Sequence, residues 1–208
     1  MIDLKDLQLL EVTHAYYYKN RRLVGVNETF DRTGLSDFSK IKWEVLEASK
    51  IKGEYVHELA RLVAIGRLKP GSVDHRLTGY LSAIKQFFKQ NVKKVISTET
   101  PICDPYFGYA GTPDLVYLNF KNRICLPDFK TPENKHPVWP LQTAAYKNAW
   151  DKCFPKKKIW QREGVMLHEN GDYTDSLDRE VYKDPQDFDN FLAALRVTQF
   201  KINHHINS

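Results

Sequence analysis

In the stretch ICLPDFKT (124–131), Asp128 and Lys130 stand two positions apart in a run that otherwise reads as a buried strand. Ile124, Leu126 and Phe129 are the apolar, strand-favouring residues of such a run. A carboxylate and an ammonium are rarely buried there unless they are paired or bind a metal. The two-residue period puts Lys130 on the face of Asp128 and turns Phe129 to the opposite, core face. Upstream, YAGTPDLVYLN (109–119) reads as a second strand, joined to the first through a turn at Lys121-Asn122. Asp114 and Asp128 are equidistant from residue 121, so an antiparallel hairpin sets them opposite each other, with Cβ atoms about 4.5–5.5 Å apart. At an effective dielectric of 20 two such charges repel by about 3 kcal/mol. That is poor architecture and a good site for a divalent cation. An ammonium beside it can orient an attacking water and stabilise charge growing on a phosphate. These three residues are equally compatible with a solvated hairpin end carrying an incidental Asp–Lys pair, and a one-residue slip of register would turn one carboxylate to the other face.

The elements that must position this trio follow from pattern and turn chemistry. Residues 11–30 predict a hairpin turning at Lys19-Asn20. Residues 36–50 predict an amphipathic helix with Phe38, Ile41, Val45 and Leu46 on one side and Ser36 or Asp37 as its cap. A second helix is expected after Gly53, ending near Gly66, and a third after Asp74, with Leu77, Leu81, Ile84, Phe87 and Phe88 in its stripe. Strands are expected over 93–102, 109–119 and 123–130, then a helix from Val138 to Trp150. A hairpin around Asn170-Gly171, a type I′ turn signal, and a C-terminal amphipathic helix complete the order. The fold class is α/β (α+β mixed), a central mixed sheet flanked by helices with the 109–130 hairpin as its hub.

With 208 residues and no repeat or Gly/Ser linker, the chain reads as one domain. Within it, 1–50 is an N-terminal hairpin and helix, 51–167 the core, and 168–208 a hairpin and the last helix. Hydrophobic content of 42% and charged content of 27% are ordinary for a globular protein, which excludes a disordered or fibrous chain. No stretch approaches the roughly 18 apolar residues of a membrane helix. MIDLKDLQLL mixes acidic residues into its apolar run and reads as neither signal nor transit segment, so a cytoplasmic protein without a membrane partner is expected. The net charge of +5 favours a polyanionic partner, though weakly. Cys103, Cys125 and Cys153 form no CxxC pair and are too few for a four-cysteine zinc or iron–sulphur site.

Further motifs lie in order around the trio. Pro113-Asp114, thirteen intervening residues and then Asp128-Phe129-Lys130 resemble the signature of the PD-(D/E)XK nuclease superfamily. GEYVH (53–57) is similar to the first motif of its RecB-like exonuclease branch. Gly111 and Asp114 match that branch's GxxD element, and Gln142 and Tyr146 its QxxxY element. Glu99 stands on the preceding strand, where members often carry a glutamate. The ordered set spans residues 53–146, and its shape is most similar to small phage- or mitochondrial-type single-domain members.

The resemblance implies a restriction-endonuclease-like core and a DNA nuclease using Mg²⁺ or Mn²⁺. It implies Asp114, Asp128, the Phe129 main-chain carbonyl and His57 as metal ligands, with Glu99 as an outer or additional one. Lys130 would serve the attacking water, with Gln142 and Tyr146, one helical turn apart, orienting Lys130 or the DNA. Several RecB-like relatives hold an iron–sulphur cluster on four cysteines; three scattered ones imply none here. An exonuclease acting on DNA ends or single strands is the leading expectation. An endonuclease or nickase on the same core, a non-cleaving binding module of a recombination complex, and a structural metal site are the alternatives. Recombination or replication proteins are candidate partners, in a host cytoplasm if the chain is phage-encoded. DNA-facing candidates are Arg21, Arg22 and Tyr18 (beside Tyr16 and Tyr17), Lys93, Lys94, Lys135, His136, Lys156, Lys157 and Lys158. The Pro-containing loop TPENKHPV (131–138), which Trp139 follows, is expected at the cleft mouth, gating or gripping a strand.

Overall fold

The computed structural model describes residues 2–36, 41–69, 71–131 and 135–206. Its strands and helices run, in chain order, β1 (Leu7–Leu10), β2 (Ala15–Tyr18), β3 (Arg21–Gly25), α1 (Val26–Thr33), α2 (Trp43–Ala64), α3 (Thr78–Asn91), β4 (Val92–Thr98), β5 (Ile102–Asp104), β6 (Tyr109–Gly111), β7 (Leu115–Asn119), β8 (Ile124–Lys130), α4 (Val138–Cys153), β9 (Gln161–Met166), α5 (Asp175–Asp178), β10 (Arg179–Tyr182) and α6 (Gln186–Asn203). Two five-stranded mixed sheets result, ordered β1-β2-β3-β6-β5 and β10-β9-β8-β7-β4. β3 is parallel to β6 and β8 to β9, and the other pairs are antiparallel.

β8 lies at the centre of the second sheet and divides the core. Phe129 points to one face, where the Phe87 ring of α3 meets it edge-on at 5.4 Å and meets Tyr117 and Tyr173 at 5.7 and 5.8 Å. Leu126 points to the other face, into the cluster that Trp150 of α4, Phe191 of α6 and Phe30 of α1 complete. By the same alternation the face bearing Leu126 also bears Asp128 and Lys130. The β7–β8 register is the expected one: Tyr117 pairs with Cys125 and Leu118 with Ile124. Asn119 Oδ1 holds the turn by accepting from the Lys121 and Arg123 amides, and Asn122 takes the left-handed conformation at φ 56°.

The continuous strands expected over 93–102 and 109–119 are each broken in two. β4 and β7 belong to one sheet, β5 and β6 to the other. The breaks face each other. Glu99 turns at φ 47°, and Pro113, without an N–H to offer a ladder, lies between β6 and β7. The Asp114 carbonyl closes the break by accepting from Thr98 Oγ1 (2.9 Å) and the Glu99 amide (3.3 Å). Glu99 and Asp114 are thereby set side by side at the seam between the sheets.

Other boundaries also differ from the sequence expectation. The first hairpin does turn at Lys19-Asn20, both left-handed at φ 50° and 62°, as a two-residue type I′ loop requires. Its second strand ends at Gly25, however, and residues 26–30 are helical. The two helices expected around Gly53 are one, α2. A single interior glycine costs about 1 kcal/mol, too little to interrupt 22 helical residues. Asp37 and Phe38 fall outside the described residues; Ile41 precedes the helix, and Val45 is exposed. β9 pairs with β10 rather than with residues 172–177, and only Gly171 of the Asn170-Gly171 turn has a positive φ, so the turn is not type I′. That loop packs tightly on α3, where any side chain at Gly79 would collide with the Glu169 carbonyl. All three cysteines are buried free thiols. Among the described residues no helix is long and apolar enough to cross a membrane.

Candidate active site

Asp128 is 2% exposed on the α4-facing side of β8. Its Oδ2 lies 2.6 Å from Lys130 Nζ in an ion pair, but without hydrogen-bond alignment, and has no hydrogen-bond partner among the described residues. A buried carboxylate oxygen left in that state costs free energy unless something else completes it. Lys130 Nζ donates to Gln142 Oε1 at 2.8 Å and lies 5.5 Å from the centre of the Trp139 ring. Gln142 in turn donates through Nε2 to Asn27 Oδ1 (3.0 Å) and to the Tyr146 hydroxyl (3.3 Å). The long, flexible lysine is thus held from three sides.

Asp114 is tied down as firmly. Its Oδ2 accepts from the Phe129 main-chain N–H at 2.7 Å, which pins the start of β7 to β8 just beyond the last paired residues. Its Oδ1 is 3.0 Å from His57 Nδ1, brought across by α2. Glu99 joins them: His57, Glu99 and Asp114 each offer a ligand atom within 4.8 Å of the other two. Burial works against every charge in this cluster. At Asp114 the His57 imidazole and the Phe129 N–H outweigh it and hold the carboxyl low. At Asp128 burial and the Asp114 charge outweigh Lys130, and the carboxyl is raised. Burial and Asp114 push Glu99 up to about 8, while for His57 burial is overcome by Asp114 and Asp128, which raise it to about 9.

Lys130 and the raised His57 imidazole are the positive partners of these carboxylates. Three carboxylates and one imidazole, with one buried carboxylate oxygen unbonded, fit a hard or borderline divalent cation. His57, Glu99 and Asp114 form the tight trio; Asp128 stands outside it, engaged with Lys130.

The glycine at position 111 has a packing reason. A Cβ there would lie 2.5 Å from the Tyr146 ring, so the glycine lets that ring approach β6. Gly111→Ala is expected to displace Tyr146 and lower stability by about 1–3 kcal/mol. Urea unfolding of the variant checks it; an unchanged midpoint would contradict the packing argument.

The remaining candidates are placed elsewhere. Arg22 is bound by the Glu28 carboxylate at 3.2 Å, and exposed Arg21 reaches the Pro105 carbonyl at 3.5 Å. Tyr18 is half-buried with Lys19 above its ring, and Tyr16 is buried with its hydroxyl 3.0 Å from Thr112 Oγ1. Lys135 pairs with Glu180 at 3.0 Å, Lys93 bonds Asn122, and Lys156 and Lys157 are exposed beyond α4. None of these side chains bonds the central residues. Trp139 lies in the first turn of α4, 6% exposed, as a wall for Lys130. Residues 132–134 of the loop before it fall outside the described residues. Asn27 had no signal in the sequence. It adjoins Gln142 only because α1 follows directly on β3 and packs beside α4.

No family model and no curated protein matches the chain. Solved structures do. One, from Eubacterium rectale and assigned as an exonuclease, aligns with a TM-score of 0.51 at 9% identity, covering 89% of this chain and 83% of that one. Another is an alkaline exonuclease from Laribacter hongkongensis, at a TM-score of 0.46 and 13% identity, covering 88% and 89%. The chain has the restriction-endonuclease-like fold, with mixed sheets flanked by helices.

Proposed function

We propose that this protein is a divalent-cation-dependent DNA nuclease of RecB-like type, acting by preference as an exonuclease on DNA ends or single strands. The observation that carries the reading is the Asp128–Lys130–Gln142 chain: a buried carboxylate with an unbonded oxygen beside an ammonium fixed by a neighbouring helix. Such an arrangement costs stability and is suited to holding charge in place during a reaction. The ordered PD…DxK and QxxxY spacing and the shared fold of a protein assigned as an exonuclease support the same conclusion.

Asp114, Asp128, His57 and the Phe129 carbonyl would hold the cation, with Glu99 as an additional ligand. When bound, a divalent cation polarises the phosphodiester and acidifies water. The imidazole among oxygen donors favours Mn²⁺ over Mg²⁺. Lys130 orients the water that attacks phosphorus and stabilises the charge that builds on the phosphoryl oxygens as the bond to the leaving oxygen breaks. Gln142 and Asn27 keep Nζ from swinging away from Asp128, and the Trp139 ring covers one side of it.

Asn27 is therefore a positioning residue. Asn27→Ala is expected to lower kcat about tenfold with KM little changed, because Gln142 keeps its bonds to Lys130 and Tyr146 but loses its anchor. A proportionate rise in KM with kcat preserved would instead make Asn27 a DNA contact.

The mode of cutting is tested with end-labelled linear and closed circular DNA, each single- and double-stranded, in Mg²⁺, Mn²⁺ or EDTA. Metal-dependent loss of linear substrates alone supports the exonuclease. Cutting of circles assigns the same site to an endonuclease or nickase. DNA binding without cutting in any metal would replace the reading with a non-cleaving module.

A further inference from the structure

On the side of α4 turned away from Gln142, the helix, β9, β10 and the start of α6 line an open cleft of about 690 Å³. Ala144 faces it, and a step of two residues on a helix is about 200°. The volume suits one small organic ligand. Its aromatic wall is Trp160, Tyr182 and Phe188. Trp160 is 65% exposed, yet its ring is held by the Arg123 guanidinium 4.8 Å from its centre and its amide by the Ile124 carbonyl at 2.8 Å. A large aromatic side chain fixed in place with its surface left to solvent is a stacking platform.

The charges around this wall are sorted. Lys147 is paired with Asp151, Lys152 with Asp104 and Arg162 with Asp187. Lys158 and Lys183 line the same cleft, are exposed, and make no ion pair or hydrogen bond among the described residues. Against them stands Asp184, whose carboxylate accepts from the Gln186 amide at the start of α6. Two free ammonium groups and one carboxylate suit an anion of low charge beside the aromatic surface, not a duplex backbone.

From this combination we propose that the cleft is a binding site for a nucleotide unit bearing a phosphate monoester, its base on Trp160 and its phosphate at Lys158 and Lys183. The unit is either a free nucleoside monophosphate or the phosphorylated end of a strand. The site is linked to the candidate active site through Tyr182, whose hydroxyl lies over Gly164 where a side chain would clash. Gly164 is the β9 partner of Asp128.

The test is equilibrium binding in EDTA, where no cutting competes, so its failure leaves the nuclease reading untouched. Thymidine 5′-monophosphate, thymidine, inorganic phosphate, and 5′-phosphorylated and 5′-hydroxyl oligothymidylate are titrated into the full chain. The site predicts a Kd for the monophosphate on the order of 0.1–1 mM, with thymidine and phosphate each binding more weakly. Trp160→Leu and the double variant Lys158→Ala/Lys183→Ala should each weaken it about tenfold or more. These side chains are exposed, and circular dichroism establishes that the variants fold. The same loss for the phosphorylated oligonucleotide would assign a strand end, and a loss confined to the monophosphate would assign the free nucleotide. Equal affinity in wild type and both variants would overturn the proposal, as would no binding of the monophosphate. So would loss of binding in Asp128→Asn alone, which would put the nucleotide at the candidate active site.

Discussion

Asp128→Asn is expected to reduce cleavage of linear DNA at least about a thousandfold, a loss of about 4 kcal/mol of transition-state stabilisation, while leaving the fold as stable as before or more so. The two halves of this result have one cause. Asp128 is buried, its Oδ2 has no hydrogen bond among the described residues, and burial together with the Asp114 charge raises its pKa. Asparagine keeps the shape and removes both the burial of the charge and the repulsion. Lys130 loses its ion pair but retains Gln142 and the Trp139 face, and at 16% side-chain exposure it still reaches water. Initial rates at saturating Mn²⁺ and a urea melt of the same preparation check the two halves together. A variant that loses stability along with activity would show that Asp128 is chiefly structural.

Lys130→Met is expected to abolish cleavage to a similar extent and, unlike Asp128→Asn, to destabilise the cation-free protein by about 3–5 kcal/mol. Methionine fills the aliphatic stem, so the cost is not a cavity. What is lost is the only ion-pair partner of Asp128 among the described residues. The double variant Asp128→Asn/Lys130→Met should recover most of that stability, because neither charge then remains, and should stay inactive. Chemical unfolding of wild type, both single variants and the double variant forms the cycle. Additive losses in stability would show that the two side chains do not act as a pair.

Much of this geometry could be read from the chain because short-range rules govern it. The Lys121-Asn122 turn centres the β7–β8 hairpin, and alternation then separates Phe129 from Asp128 and Lys130. Neither step depends on distant residues. The breaks at Glu99 and Pro113 could not be read in this way. A strand-like run has the same pattern whether its two ends join one sheet or two, and the pairing of β6 with β3 and of β5 with β6 decides. Gly53 suggested a boundary because local propensity disfavours it, yet the continuous helix outweighs one glycine. The helix that carries Trp139 was legible from Val138 onward, but the placing of its ring over Lys130 comes from the packing of α4 on β8, which no spacing rule gives. Asn27 lies 115 residues from its partner, so no spacing rule could connect them.

The most direct test of the central claim is the fate of end-labelled linear DNA with wild-type protein and Asp128→Asn, side by side, in Mn²⁺ and in EDTA. Degradation by wild type in Mn²⁺, none in EDTA, and none by the folded variant in either is expected. Cleavage that persists in EDTA, or that Asp128→Asn performs at the wild-type rate, would contradict that claim.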